Sequence, residues 1–349
     1  MRIESLELFL SVAEQGSFSR AAARCFISQQ GVSSAVKALE RELDVTLFAR
    51  GRAGLHLTRE GEAVAREAEH VVEAYRRLTV LASSQHDEAS GGSGTVNVLT
   101  TPFVANVLEG LFADYESVNP GMRLRITERG LFDIVDEFVA ARAAAPASTP
   151  PVSAAAPEGR RDDVAGAVEQ AAGARREPLR IIAVMDGMAG DGDGSGAMGE
   201  AFEPLVPTEL MAACTADSPL AARESTTREE LCTYPIAYYS EEFLNLVVRR
   251  MFEGYAPDIR QNTSNIGILQ RAMEREGAVT FSDSFSAYLG RRHADMVIVP
   301  IRDSVFFSVG FLGAPAPDSP EERFARFFRR YVSSVCAPYM QRYASRLRP

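Results

Sequence analysis

The chain has 349 residues, 46% of them hydrophobic, which is enough to fill the cores of two or three domains. Its formal net charge is −10, so any nucleic-acid contact must come from a local concentration of basic residues, and no run of about eighteen apolar residues marks a membrane span. Four cysteines without a Cys-x-x-Cys pair argue against a zinc site or a disulfide framework, and the chain opens on no basic-then-apolar leader, so the expectation is a soluble, reduced, cytoplasmic protein without a cofactor.

Leu6, Phe9, Leu10 and Ala13 place an apolar stripe on a helix over residues 3–15, stopped by Gly16. Ser19 is a candidate N-cap for a second helix over 20–26, with Ala21-Ala22-Ala23 allowing close packing. Ser28 caps a third, over 29–43, where Val32, Val36, Leu39 and Leu43 turn inward together. The opposite face then carries Gln29, Gln30, Ser33, Ser34 and Lys37, the only lysine in the chain. Amides and hydroxyls there suit base edges, and the lysine suits a phosphate. Two short strands, 47–49 and 55–57, flank the basic, glycine-rich loop Arg50-Gly51-Arg52-Ala53-Gly54, a candidate wing that lays Arg50 and Arg52 along the DNA backbone. Residues 20–59 hold seven Lys/Arg against three acids, so this head is basic on an acidic body. Two helices, a hairpin and a long helix in this order describe a winged helix-turn-helix.

The same segment closely resembles the N-terminal domain of LysR-type transcriptional regulators. The shared residues are Phe9, Gly16-Ser17-Phe18, Ala21-Ala22, Ser28-Gln29, Val32-Ser33, Leu39-Glu40, Leu43, Leu47-Phe48-Ala49-Arg50 and Leu57-Thr58-Arg59-Glu60-Gly61. The chain departs from the family at Gln30-Gly31, usually Pro-Ala, and at Ser34-Ala35, often Arg-Gln. Those positions bear on base preference rather than on binding mode.

From Thr58 to about His86 a proline-free helix carries a heptad seam at Val64, Ala68, Val71, Tyr75, Leu78 and Ala82. One helix cannot bury such a seam alone. It packs either on its own body or on a second copy, and with the winged module before it a coiled-coil dimer is favoured; the resemblance implies two dimers assembled as a tetramer. Gly91-Gly92-Ser93-Gly94 reads as a hinge.

Beyond it, strands over 95–99, 122–127, 179–184, 209–214, 234–239, 278–282 and 296–300 alternate with helices to 118 and over 132–142, 243–252 and 266–275. This alternation predicts an α/β body with a mostly parallel sheet. The body resembles the family's two-lobed effector domain, itself similar to periplasmic solute-binding proteins. Thr100-Thr101-Pro102 joins a strand to a helix start whose amides and dipole favour a carboxylate, and Thr263-Ser264-Asn265 is a second hydroxyl-rich helix start. Simple capping is the alternative role for both. Arg129, Thr215 and Ser282 are further pocket candidates at corresponding strand ends.

Residues 143–177 read as a solvated, disordered insertion, rich in Ala and Pro in its first half. Asp191-x-Asp-x-Ser195-Gly196 imitates a calcium loop, but Phe202 stands where the closing acid belongs, so a flexible crossover is expected instead of a metal site. The four histidines are isolated, and no nucleophile elbow or phosphate-binding loop marks an enzyme.

The expectation is a non-enzymatic regulator of α/β class with four parts: a DNA-binding head (1–58), a linker helix (59–88), a hinge (89–94) and an effector body (95–349). Its expected partners are double-stranded promoter DNA, a small-molecule effector between the lobes with a carboxylate favoured, further copies of itself, and RNA polymerase; no membrane is involved. Two alternatives stay open: an oligomeric regulator that needs no ligand, and a thiol redox sensor acting through Cys214 and Cys232.

Overall fold

The computed structural model describes residues 1–25, 27–51, 54–84, 94–144, 177–185, 188, 201–289 and 296–343. Arg52, residues 85–88 of the expected linker helix, residues 89–93 of the expected hinge, residues 145–176 of the insertion and the glycine-aspartate segment at 189–199 lie outside the described residues.

The head opens with α1 (Ile3–Gln15), which ends where Gly16 adopts φ +57° and returns its N–H to the Val12 carbonyl. Helix α2 (Phe18–Cys25) starts earlier than the sequence suggested, because Ser17, and not Ser19, offers its hydroxyl to the Arg20 N–H at 3.4 Å. Helix α3 (Gln29–Leu43) starts at Ser28, whose Oγ accepts the Gly31 N–H at 3.0 Å. Leu43, expected to point inward, is 37% exposed, since the helix stops there and Asp44 turns the chain left-handed. Strands β1 (Phe48–Gly51) and β2 (Gly54–Leu57) pair antiparallel from Phe48↔Leu57 to Gly51↔Gly54, so the hairpin runs further into the basic loop than expected.

Helix α4 (Arg59–Ser84) follows, capped by Thr58, whose Oγ1 accepts the Gly61 N–H at 2.9 Å. Leu6, Phe9, Val12, Val32, Val36, Leu39 and Leu47 form the head's core, which Ala65 and Ala68 of α4 complete. Further along, α4 lies against α5 (Pro102–Val118) and α11 (Pro320–Ser334) of the body. Val71, Tyr75, Leu78 and Leu81 remain exposed.

In the body, β3 (Gly94–Thr100) leads into α5, and β4 (Met122–Glu128) into α6 (Leu131–Ala144). After β5 (Leu179–Met185) comes the long β6 (Phe202–Thr215), a 3-10 turn at Pro219–Ala222 and the short α7 (Arg228–Leu231). Then follow β7 (Pro235–Tyr239), α8 (Glu242–Met251), β8 (Asp258–Thr263), α9 (Ile266–Glu276), β9 (Thr280–Asp283) and α10 (Ser284–Tyr288). The chain closes with β10 (Met296–Pro300), β11 (Phe306–Leu312), α11 and α12 (Ala337–Tyr343).

The strands order as β10-β6-β11-β5-β3-β4, with β9 also on β6, and β7 pairs β8 separately. One strand serves both lobes: residues 202–209 of β6 pair with β11, and residues 210–215 with β9 and β10. Lobe I is thus β3, β4, β5, β11 and the first half of β6; lobe II is built on the second half with β7 to β10.

The sheet is mixed, not mostly parallel. β3 pairs parallel with β4 and β5, whereas β11 inserts antiparallel between β5 and β6. The sequence reading assigned nothing after Pro300, and that return strand changes the sheet's character.

Candidate nucleic-acid interface and ligand cleft

Sequence folds α3 so that its core side is fully spent: Val32, Val36 and Leu39 are at most 1% exposed. The opposite side presents Gln29, Gln30, Ser34 and Lys37 to solvent, with Ser33 half-buried and Ser28 exposed at the cap. Arg50 lies on β1, but only its backbone is described, and Arg52 is outside the described residues.

Two residues that the sequence reading gave no positioning role fix this geometry. Glu40 accepts the Leu47 N–H at 2.8 Å and the Phe48 N–H at 3.4 Å, tying α3 to the first strand of the hairpin. Gly61 lets α4 pass the Leu47 carbonyl: a Cβ there would lie 2.2 Å from that oxygen. Thr58 reinforces the junction, with its N–H on the Leu47 carbonyl at 2.9 Å and its hydroxyl on the Thr46 carbonyl at 2.6 Å. Phe48 packs edge-on against Phe9 and Phe18, at 5.5 and 5.7 Å between centroids. Arg20, counted among the basic residues of the head, is spent on the carbonyls of Gln15 and, in the body, Ala221.

In the body, the helix starts that follow β3 and β4 in lobe I meet the start of α8, which follows β7 in lobe II. Thr100 is fully buried and donates its hydroxyl to the Ile181 carbonyl at 2.7 Å. Thr101, equally buried, caps α5 by accepting the Val104 N–H at 3.3 Å, and Pro102 is the first residue of that helix. The Arg129 N–H reaches the Thr100 carbonyl at 2.9 Å, while its guanidinium turns outward to Glu137 at 3.3 Å.

On the facing lobe, the Thr263 carbonyl accepts the Ser240 N–H at 3.2 Å beside the start of α8, and Ser264 is exposed next to it. Ser282 lies near the C-terminal end of β9, which runs parallel to β7. Thr215 is elsewhere. Asp283 pairs with Leu210 and Thr280 with Ala213, so β6 runs away from the cleft and leaves Thr215 at the far end of lobe II.

Aromatic side chains pack across the lobe junction. Phe103, Phe243 and Phe307 form a triangle with centroids 5.3 to 5.6 Å apart, joining both lobes. Glu241 sits beside the Thr101 hydroxyl, and burial pushes its carboxyl above the usual range, with neighbouring Glu242 adding to the rise. Burial also pushes up Asp283, although Ser286, Thr208 and the Phe285 N–H all donate to it. Neither glutamate at the start of α8 had a role in the sequence reading; a signal was there in two adjacent acids directly after a strand, at a helix start.

A separate cavity of about 380 Å³ lies between α8 and β8, where Asn262 donates to the Tyr238 hydroxyl and to Asn245 Oδ1, both at 2.9 Å. Cys214 is buried and Cys232 half-buried; both are free thiols whose pKa values burial raises. Among the described residues no group of three or more His, Cys, Asp or Glu could hold a metal ion, and no helix is long and apolar enough to cross a membrane.

Residues 3–62 match the bacterial regulatory helix-turn-helix protein, LysR family. The HTH-type transcriptional regulator CzcR of Bacillus cereus is 29% identical over 137 residues, 39% of this chain and 47% of the relative. CrgA of Neisseria meningitidis, also an HTH-type transcriptional regulator, is 30% identical over 137 residues, 39% of this chain and 45% of its own. The chain therefore spans about half the length of these curated relatives. Among solved structures, HinK, a LysR family transcriptional regulator from Pseudomonas aeruginosa, aligns over 96% of this chain and 99% of its own at 17% identity and a TM-score of 0.46. Full-length CbnR complexed with its target DNA aligns over 95% and 98%, at 17% identity and a TM-score of 0.42.

Proposed function

We infer that this chain, whose head belongs to the LysR family, is a LysR-type DNA-binding transcriptional regulator. The observation that carries the reading is the solvent face of α3. Gln29, Gln30, Ser34 and Lys37 stand exposed on a helix locked from behind by its core and by Glu40. Bidentate amides there can read adenine, and the lysine can neutralise a phosphate. The match over residues 3–62 supports the same role. Ser28, Ser33 and the wing arginines Arg50 and Arg52 complete the proposed contact set.

The exposed stripe on α4 supports a homodimer through the linker helix, presenting two heads to a dyad-symmetric promoter site, with a tetramer as the next assembly. RNA polymerase is the further partner that a promoter-bound regulator would meet, and the bacterial cytoplasm is where it would act. The body is proposed as the regulatory part. Thr100, Thr101, Pro102, Arg129, Thr263, Ser264 and Ser282 are the proposed contacts of a small effector acting between the lobes.

A specific observation favours the reading in which no ligand is required: Thr100 and Thr101 are both fully buried, with their hydroxyls engaged inside the protein. The redox reading has no such support, because burial holds Cys214 and Cys232 in the thiol form, which is the poor nucleophile.

Selection from a random-sequence duplex library by the full-length protein tests the regulator assignment. Enrichment of a dyad-symmetric sequence is expected. Recovery of an unenriched pool at every salt concentration would overturn it.

A further inference from the structure

Helices α3, α5 and α8 are each capped by a side chain of their own N-terminal residue: Ser28, Thr101 and Glu241. Helix α6 is preceded by Gly130, which has no side chain to offer. Its cap comes from the other lobe. The Phe132 N–H donates to Glu242 Oε2 at 3.2 Å, and a Cβ on Gly130 would lie 2.7 Å from both oxygens of that carboxylate. A bare Cα at this point is what lets a carboxylate close on the first amides of the helix, where the macrodipole favours negative charge.

A second observation lies beside it. Glu241 is only 7% exposed; its Oε2 accepts the Leu244 N–H at 2.9 Å, and the Thr101 hydroxyl of lobe I lies against the same carboxyl. Adjacent residues of lobe II thus both engage lobe I, one at the start of α5 and one at the start of α6.

We propose that the start of α6 is a carboxylate-binding site whose ligand is the chain's own Glu242, which holds the two lobes together. A small external carboxylate can then act on this protein only by displacing Glu242. The lobes close on a resident ligand, which gives the no-ligand reading a mechanism. The regulatory consequence rests on the regulator assignment; the binding statement does not.

The test uses the full-length protein with acetate as probe and chloride at equal ionic strength as control. Hydrogen exchange at the Phe132 amide should accelerate about two- to fivefold in Glu242→Ala, the range expected for an exposed carboxylate lost from a helix start. Acetate should reverse that acceleration in a saturable manner and raise the melting temperature of the variant, while leaving wild type unmoved.

Gly130→Ala is the second variant. Its Cβ should displace Glu242 without changing any charge, so exchange should accelerate there too, but acetate should not rescue it. Wild-type exchange at Phe132 in Glu242→Ala would overturn the proposal, as would equal stabilisation of wild type and both variants by acetate. None of these readouts involves DNA, so failure of the regulator assignment would leave them unchanged.

Discussion

Gly61 is a residue whose side chain must be absent for the head to assemble. A Cβ would lie 2.2 Å from the Leu47 carbonyl, so Gly61→Ala must push α4 away from the hairpin. Overpacking of this kind typically costs about 1–3 kcal/mol, and thermal unfolding of the variant should show a loss in that range. Glu241 carries a prediction of opposite sign. Burial raises its carboxyl pKa, so the folded chain holds this proton more tightly than the unfolded chain does. The stability linked to this group is complete below the ordinary glutamate pKa and is lost as pH rises through the raised one. Glu241→Gln keeps an acceptor for the Leu244 N–H and removes the charge. It should therefore melt about 2–4 °C above wild type near pH 8, with the difference vanishing toward pH 4; an unchanged difference across that range would contradict the assignment. The comparison cancels the similarly buried Asp283, which both proteins share. At this scale the sequence was uneven. The Ser28 cap and the outward placement of Lys37 were legible because both depend on neighbours a few residues away. Glu241, Glu242 and Gly130 were not, because what they meet arrives from distant parts of the chain.

Among elements, the linker helix states its requirement most directly. Ala65 and Ala68 are buried against the head, but Val71, Tyr75, Leu78 and Leu81 are between 41% and 65% exposed on the same α4. Apolar side chains in a row at helical spacing favour a partner helix, and the heptad pattern matches a second copy. Leu78→Glu should convert the dimer to monomer at micromolar concentration, read by sedimentation, and should lower DNA affinity through loss of the second half-site. A variant that sediments as wild type would move the interface elsewhere. Many helix and strand positions up to Pro300 were legible, since periodicity is local, but β8, the first half of β6 and the short α7 and α10 were not. Sheet order was not: β11 lies between β5 and β6, and no local pattern announces an antiparallel insertion from the end of the chain.

For the whole molecule, the distribution of charge and of buried acids divides the labour. The recognition and wing region of the head, residues 20–59, is basic and offers a polar helix face; the body is acidic and brings its own carboxylates into the space between its lobes. Any signal that opens those lobes would reach the head through α4, which packs on the head at its start and on α5 and α11 of the body further along. Under the proposed function, such a signal would shift the population between closed and open bodies with different head spacing.

The central claim is that α3 reads DNA. Fluorescence anisotropy over a salt series tests it most directly, with a duplex from upstream of the protein's own gene beside a scrambled control of equal length. Wild type should bind the upstream duplex selectively. Lys37→Ala should weaken both duplexes alike and reduce the salt slope by about 1, while Gln29→Ala should erase about 1–3 kcal/mol of preference between them. Wild-type affinity, selectivity and salt slope in both variants would contradict the account.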